Sequence, residues 1–173
     1  MAEKSTEYWL RGPVADIPAL LQPVAHALLQ ARAEVNEMMT GFDAGLLFSS
    51  IAGMASPAFH LLHLAGVLDR LFTYARGEQL TEKQLDYLNA ETNPDKNIVS
   101  NTLLANFNMQ VNLALEQLKH TDASTLTAVR AVGRKHVPST VIGLLVHAAE
   151  HTMRHTGQLL VTVNALTAYS KEK

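Results

Sequence analysis

Three of the chain's eight histidines fall in the stretch "LLVHAAEHTMRHTGQLL", at His147, His151 and His155. Residues four apart on a helix differ by only about 40° in direction, so the three imidazoles form one narrow stripe. Two imidazoles at i and i+4 can grip one metal ion. Three at once is difficult, because His147 and His155 are separated by about 12 Å along the axis and would have to distort the helix to share one ion. The stripe therefore offers one adjacent pair, either His147 with His151 or His151 with His155, and leaves the remaining ring beside it. A catalytic zinc site uses three protein ligands and keeps a position open for water or substrate. The third ligand must then come from another helix. "FHLLHLAG" supplies His60 and His63 one turn apart, with His63 set among Leu61, Leu62, Leu64 and Ala65. The stripe through His63 continues to Val67, Arg70 and Tyr74, so an arginine and a phenol are expected in the same cleft, suited to orienting an anionic substrate.

The same residues admit plainer or different uses. Glu150 and Arg154 flank the histidine stripe, and together they can form a solvated polar face. "HAAEH" also satisfies H-x-x-E-H, the inverted zinc-protease motif, with His147 and His151 as ligands and Glu150 as base. That motif needs a further acidic ligand well downstream, and the only acid after Glu150 is Glu172. His26, His120 and His136 belong to neither histidine cluster and read as ordinary histidines.

The bulk composition narrows the chemistry. At 173 residues with 47% hydrophobic side chains, the chain is read as one domain, 1–173, large enough to bury a core. A formal net charge of -2 gives no support for nucleic-acid binding or a membrane-surface role. There is no cysteine, which excludes disulfides, thiolate metal sites and a cysteine nucleophile of the chain's own. "MAEKSTEYWLRGP" lacks the apolar stretch of a signal peptide, and no segment approaches a membrane span, so a cytoplasmic location is expected.

The elements that must position the histidines all read as helices. A first helix is expected from about Pro13 to Met39, with Gly41 beyond its end. Ser56-Pro57 opens a second, "PAFHLLHLAGVLDRLFTYARG", which should stop at Gly77. Thr81 and Gln84 match a capping box for a short helix ended by "ETNPDKN". A third long helix covers about Ile98 to Lys119, followed by a short helical piece, "DASTLTAVRAVG", and a loop, "GRKHVPS". Ser139 then caps a last helix running to about Tyr169. Leu20, Leu21 and Leu28, with Ile142, Met153 and Leu160, are expected as core or dimer contacts. Tyr8 and Trp9 are expected to anchor the terminus. The fold class is all-α, a four-helix bundle with short extra helices in its connections.

"PAFHLLHLAGVLDRLFTYARG" together with "GRKHVPSTVIGLLVHAAEHTMRHTGQLL" resembles the DinB-like superfamily of four-helix-bundle metalloproteins. The resemblance extends over nearly the whole chain in the number and order of helices. It implies an up-down-down-up bundle, frequently a homodimer, holding a divalent metal, often zinc or nickel, through three histidines. The match of "RHTGQ" to the end of the family motif implies His63, His151 and His155 as those ligands. His60 and His147 are extra rings near the site, read as orienting substrate or a bound water. Characterised relatives in that superfamily include thiol-dependent S-transferases and a thiol-dependent isomerase. The implied function is a metal-dependent transferase using a low-molecular-weight thiol cosubstrate, with hydrolysis by metal-bound water as its neighbour. The alternative is a non-catalytic metal- or small-ligand-binding stress-response protein.

Overall fold

The computed structural model describes residues 6–172; the first five residues of the N-terminal segment read above for a leader peptide lie outside them. Among the described residues are five α-helices and one hairpin, besides short 3-10 turns: α1 Gln22–Met39, α2 Pro57–Ala75, α3 Glu82–Thr92, α4 Ser100–Lys119, β1 Val129–Val132, β2 Val137–Thr140 and α5 Val141–Lys171. The architecture is mainly helical, as expected, but the hairpin makes it more than all-α. Among the described residues, no helix is long and apolar enough to cross a membrane.

Helix α2 is the central element, with 16 of its 19 residues buried. It packs on α5, α4 and α3, while α1 closes the other side against α5 and α4. Fully buried Leu28, Leu61, Leu64, Phe107 and Leu145 fill the space between these four long helices. Ser56 caps α2 by accepting from the backbone N–H of Phe59, with Pro57 in the first turn where its missing N–H costs nothing. At the other end the chain turns at Gly77, whose φ of 82° suits glycine. Arg130 of β1 donates to the Ala75 carbonyl at 2.8 Å, satisfying an otherwise orphaned group at the end of α2. The two sides of the molecule are also pinned by polar pairs. Arg32 and Asn36 of α1 meet Asn112 and Asn108 of α4, in reverse order along the two helices. Gln117 near the end of α4 donates to the Phe72 carbonyl near the end of α2.

Four expectations about the elements are corrected. The first helix starts at Gln22 rather than Pro13, and Pro23, not Pro13, occupies its first turn. Pro18 disfavours helical backbone at the residue before it. Gln22 then ties down the approach by hydrogen-bonding Val14 and Ile17. The expected helical piece in "DASTLTAVRAVG" is only a 3-10 turn at Ala123–Thr125, followed by β1. Val129 pairs with Thr140 and Val132 with Val137, so "GRKHVPS" is the turn and return strand of an antiparallel hairpin. The cap of α5 is consequently Thr140 rather than Ser139, its hydroxyl accepting from the Gly143 N–H at 3.0 Å.

Leu21 and Leu28 are buried in the core, and Ile142 and Met153 pack against it. Leu20 is 68% exposed and Leu160 42% exposed, so neither is a core residue. Tyr8 anchors the terminus through its backbone N–H to Gln30. Trp9 does not, being 62% exposed with its ring N–H on neighbouring Glu7.

Candidate metal centre

The facing surfaces of α2 and α5 bring four imidazoles together. His63 Nε2 lies 2.9 Å from His151 Nε2, and His60 Nδ1 lies 3.2 Å from His155 Nδ1. The lower-numbered ring of α2 meets the higher-numbered ring of α5, so the two helices run in opposite senses. The ring centroids of His63 and His155 are 4.4 Å apart, and those of His151 and His155 are 4.6 Å apart. His63, His151 and His155 each offer one nitrogen, and these atoms all lie within 4.8 Å of one another. Ligand nitrogens on a tetrahedral ion at about 2.05 Å are about 3.3 Å apart, within reach of small ring adjustments.

The chemistry of these donors suits a metal. Burial, reinforced by His63, pulls the His60 imidazole down to about 4. Burial also takes His155 down to about 4, helped by His63, His151 and His60, and it lowers His151. These three rings are therefore neutral at physiological pH, with lone pairs to donate. His151 Nδ1 is buried and has no hydrogen-bond partner, an atom that the protein alone leaves unused. The histidine cluster could hold a divalent metal ion.

Two neighbours fix the rings from outside. Glu91, on α3, is 2% exposed and sits 2.7 Å from His63 Nδ1. An ionised carboxylate only accepts, so the proton belongs on His63 Nδ1, and Nε2 turns towards the cluster. Glu91 is in turn held by Arg70, at 2.5 Å and 3.3 Å. On the other side, the Nδ1–Nδ1 contact of His60 with His155 sets the second ring. Phe59 stacks flat on His63, with ring planes 8° apart and centroids at 5.4 Å.

Gly66 makes this support possible. It lies on α2 between His63 and Arg70, and a Cβ there would stand 2.1 Å from Glu91 Oε1 and 2.6 Å from Arg70 Nη1. The missing side chain is the notch that admits the carboxylate. Tyr87 covers the pair from α3, donating to the Leu62 carbonyl and accepting from Asn106. Burial and the charge of Glu91 push its phenol up to about 12, so it stays protonated.

The other sequence candidates fall in different places. Arg70 reaches the cluster only through Glu91; with its guanidinium engaged there, it is not free to orient a substrate. Tyr74 is buried in the core. Neither lines the cavity of about 550 Å³ beside His60 and His155, which is walled by Phe59, Gly157 and Val161. His147 is exposed, its ring 5.3 Å from that of His151 and its Nδ1 3.4 Å from Glu150. His147, Glu150 and His151 form a second possible donor group. Glu150, however, is paired with Arg154 at the surface. Glu172 caps the end of α5. It is about 30 Å along the helix from His151, too far to complete an inverted zinc-protease site. His26 lies beside the Gly12 carbonyl, His120 pairs with Glu116, and His136 sits in the hairpin turn.

Glu91, Gly66 and Phe59 are the residues that sequence reasoning missed. Phe59 and Gly66 lie at i−4 and i+3 from His63, so the helical stripe already contains them. Glu91 is 28 positions away on a separate helix and has no local signal.

Fold and site together define a helical protein with a histidine cluster suited to a divalent cation. The sequence pattern of the DinB superfamily matches residues 27–159, and the chain belongs to that superfamily. A conserved protein from Enterococcus faecalis has a similar crystal structure, with a TM-score of 0.65 at 17% identity, covering 82% of this chain and 93% of that one. A Streptococcus pneumoniae protein matches with a TM-score of 0.64 at 11% identity, covering 94% and 97%. An uncharacterized Clostridium difficile protein has a TM-score of 0.61 at 11% identity, covering 84% and 94%. At these identities the likeness is one of fold. No curated protein matches the chain.

Proposed function

We propose that this protein is a divalent-metal-dependent enzyme, with His63, His151 and His155 as ligands of zinc or nickel and one coordination position open to substrate. The observation that carries this is the convergence of three ring nitrogens from two helices within 4.8 Å. A bound cation there would lower the pKa of a thiol or water molecule and supply a nucleophile near neutral pH. Because the chain has no cysteine, the thiol arrives as a low-molecular-weight cosubstrate, and S-transfer is the reaction class proposed, with hydrolysis as its neighbour. Glu91 holds His63 in the tautomer that presents Nε2, and His60 positions His155. The adjoining cavity favours turnover over simple metal storage, since it leaves room for a substrate beside His155, one of the three ligands.

The same reading takes residues 1–173 as one domain in up-down-down-up order. The opposed senses of α2 with α5 and of α1 with α4 support that order. It further places the protein in the cytoplasm as a homodimer, for which exposed Leu20 and Leu160 offer apolar contacts.

The test is elemental analysis of untagged protein, paired with a thiol-transfer screen. One equivalent of metal per chain and thiol-dependent activity are expected, both lost in His155→Ala. A purified activity that survives both chelation and His155→Ala would overturn the proposal.

A further inference from the structure

A glycine inside a helix weakens it relative to alanine, so each such position asks for a reason. Gly66 has one in Glu91. Gly157, halfway along α5, has none within the protein: beyond its chain neighbours and its own turn of helix backbone, nothing lies within 4 Å of where its Cβ would be. Its bare backbone instead forms part of the wall of the cavity beside His60 and His155. That cavity, about 550 Å³, is bounded by the loop before α2, by α2 and by α5, a concave shape of the size that takes small molecules. Met54, Phe59 and Val161 give it apolar walls.

Its charged lining is of one sign. Arg154 and Gln158 line it, and no aspartate or glutamate does. Arg154 gives one guanidinium nitrogen to Glu150, which leaves further donors of its five N–H groups for a ligand. Thr162 also lines the cavity, and its hydroxyl is buried without a hydrogen-bond partner.

We infer that this cavity binds a small carboxylic acid with an apolar body, its carboxylate taken by Arg154 and Gln158 and its body lying along Gly157 between Phe59 and Val161. The inference rests on the proposed function in one respect only, that this molecule is the substrate of the adjoining metal centre.

Binding is tested by calorimetry on the full chain, with phenylbutyrate and its uncharged counterpart phenylbutanol, in zinc-loaded and zinc-free protein. The acid is expected to bind about 10- to 100-fold more tightly than the alcohol, the span set by charge-assisted hydrogen bonds. Arg154→Gln should abolish that preference. Gly157→Leu, and independently Val161→Trp, should weaken the acid by about tenfold or more, as filled space excludes it, while zinc binding is unchanged. Equal affinity for acid and alcohol, no measurable acid binding, or cavity-filling variants that bind the acid normally but change the sedimentation mass would each overturn the inference. If zinc fails to bind while the acid behaves as expected, the metal centre falls and the acid site stands.

Discussion

Replacing Gly66 by alanine adds one methyl group at the place where Glu91 reaches His63, and the outcome discriminates sharply between two effects. Helix propensity alone makes alanine the better residue by about 1 kcal/mol. The structure demands the opposite. The new Cβ would lie 2.1 Å from Glu91 Oε1, 2.6 Å from Arg70 Nη1 and 2.8 Å from Tyr87 Cε1. These are side-chain ends that could swing aside, but the carboxylate is buried and bonded to both Arg70 and His63, so making room for the methyl pulls it off those partners. Arg70, 8% exposed, is then left without its partner. Breaking a buried ion pair in this way costs about 3–5 kcal/mol, so after the propensity gain the net loss is about 2–4 kcal/mol. For a chain of this length that lowers Tm by roughly 5–15 °C. Losing the acceptor at His63 Nδ1 should also weaken zinc by about 10- to 100-fold, the usual effect of removing such a support. Urea denaturation and a zinc titration against a chromophoric chelator measure the two effects separately. A Gly66→Ala protein as stable as the wild type, with unchanged zinc affinity, would refute the account of the notch and of Glu91 together.

Three further outcomes are expected. Glu91→Gln keeps the shape but removes the charge, so zinc should weaken by about tenfold. Nitrogen-15 NMR of the metal-free variant should then show the His63 proton no longer confined to Nδ1; an unchanged tautomer would remove Glu91 from its role. Metal-free protein should lose stability as pH falls from 7.5 to 5.5. His60 and His155 are held down to about 4 in the fold, while in the unfolded chain they take up protons near 6.5. The unfolded state thus binds more protons between those values, favouring unfolding by up to about 1.4 kcal/mol per pH unit for buried His60 and by less for half-buried His155, which solvent screens. A flat urea midpoint across that range would contradict the burial of the two rings. Glu150→Gln should leave metal binding intact, because Glu150 is tied to Arg154 at the surface and not to the three-histidine group; loss of the metal in this variant would return Glu150 to the site.

What the sequence makes legible here is decided over short distances along the chain. Ser56-Pro57 and Gly77 bracket α2, and Thr81 with Gln84 forms the capping box that starts α3. In each case the residues that start or stop the helix lie within four positions of its end. The same holds for His151 and His155, whose common direction follows from their spacing. The start of α1 was illegible because Pro13 and Pro23 both suit a first turn, and the choice falls to Gln22 binding back to Val14 and Ile17. The hairpin was illegible because Leu126, Val129 and Val132 repeat every three residues and imitate a helical face. In the structure Val129 is 75% exposed, so that face does not exist. The turn from Gly133 to His136 decides the matter, with φ of 64° and 48° at its two ends.

The most consequential part of the site was the least legible, for a physical reason. Helix α3 has one buried residue, and it is not apolar: it is Glu91. Read alone, "EKQLDYLNAET" is a short polar helix on a connection, and nothing distinguishes this carboxylate from the others on it. Its burial becomes tolerable only through three partners distant in sequence: Arg70 to neutralise it, His63 to share a proton with it, and Gly66 to leave it room. A charge buried without such partners would cost several kcal/mol, and the helix would turn it to solvent instead. The order of causes therefore runs from α2 to α3. The stripe His63–Gly66–Arg70 builds the socket, and α3 docks by filling it. The short helix in the connection is thereby the arm that fixes one of the three rings, which ties the orientation of that candidate ligand to the fold of the connection itself.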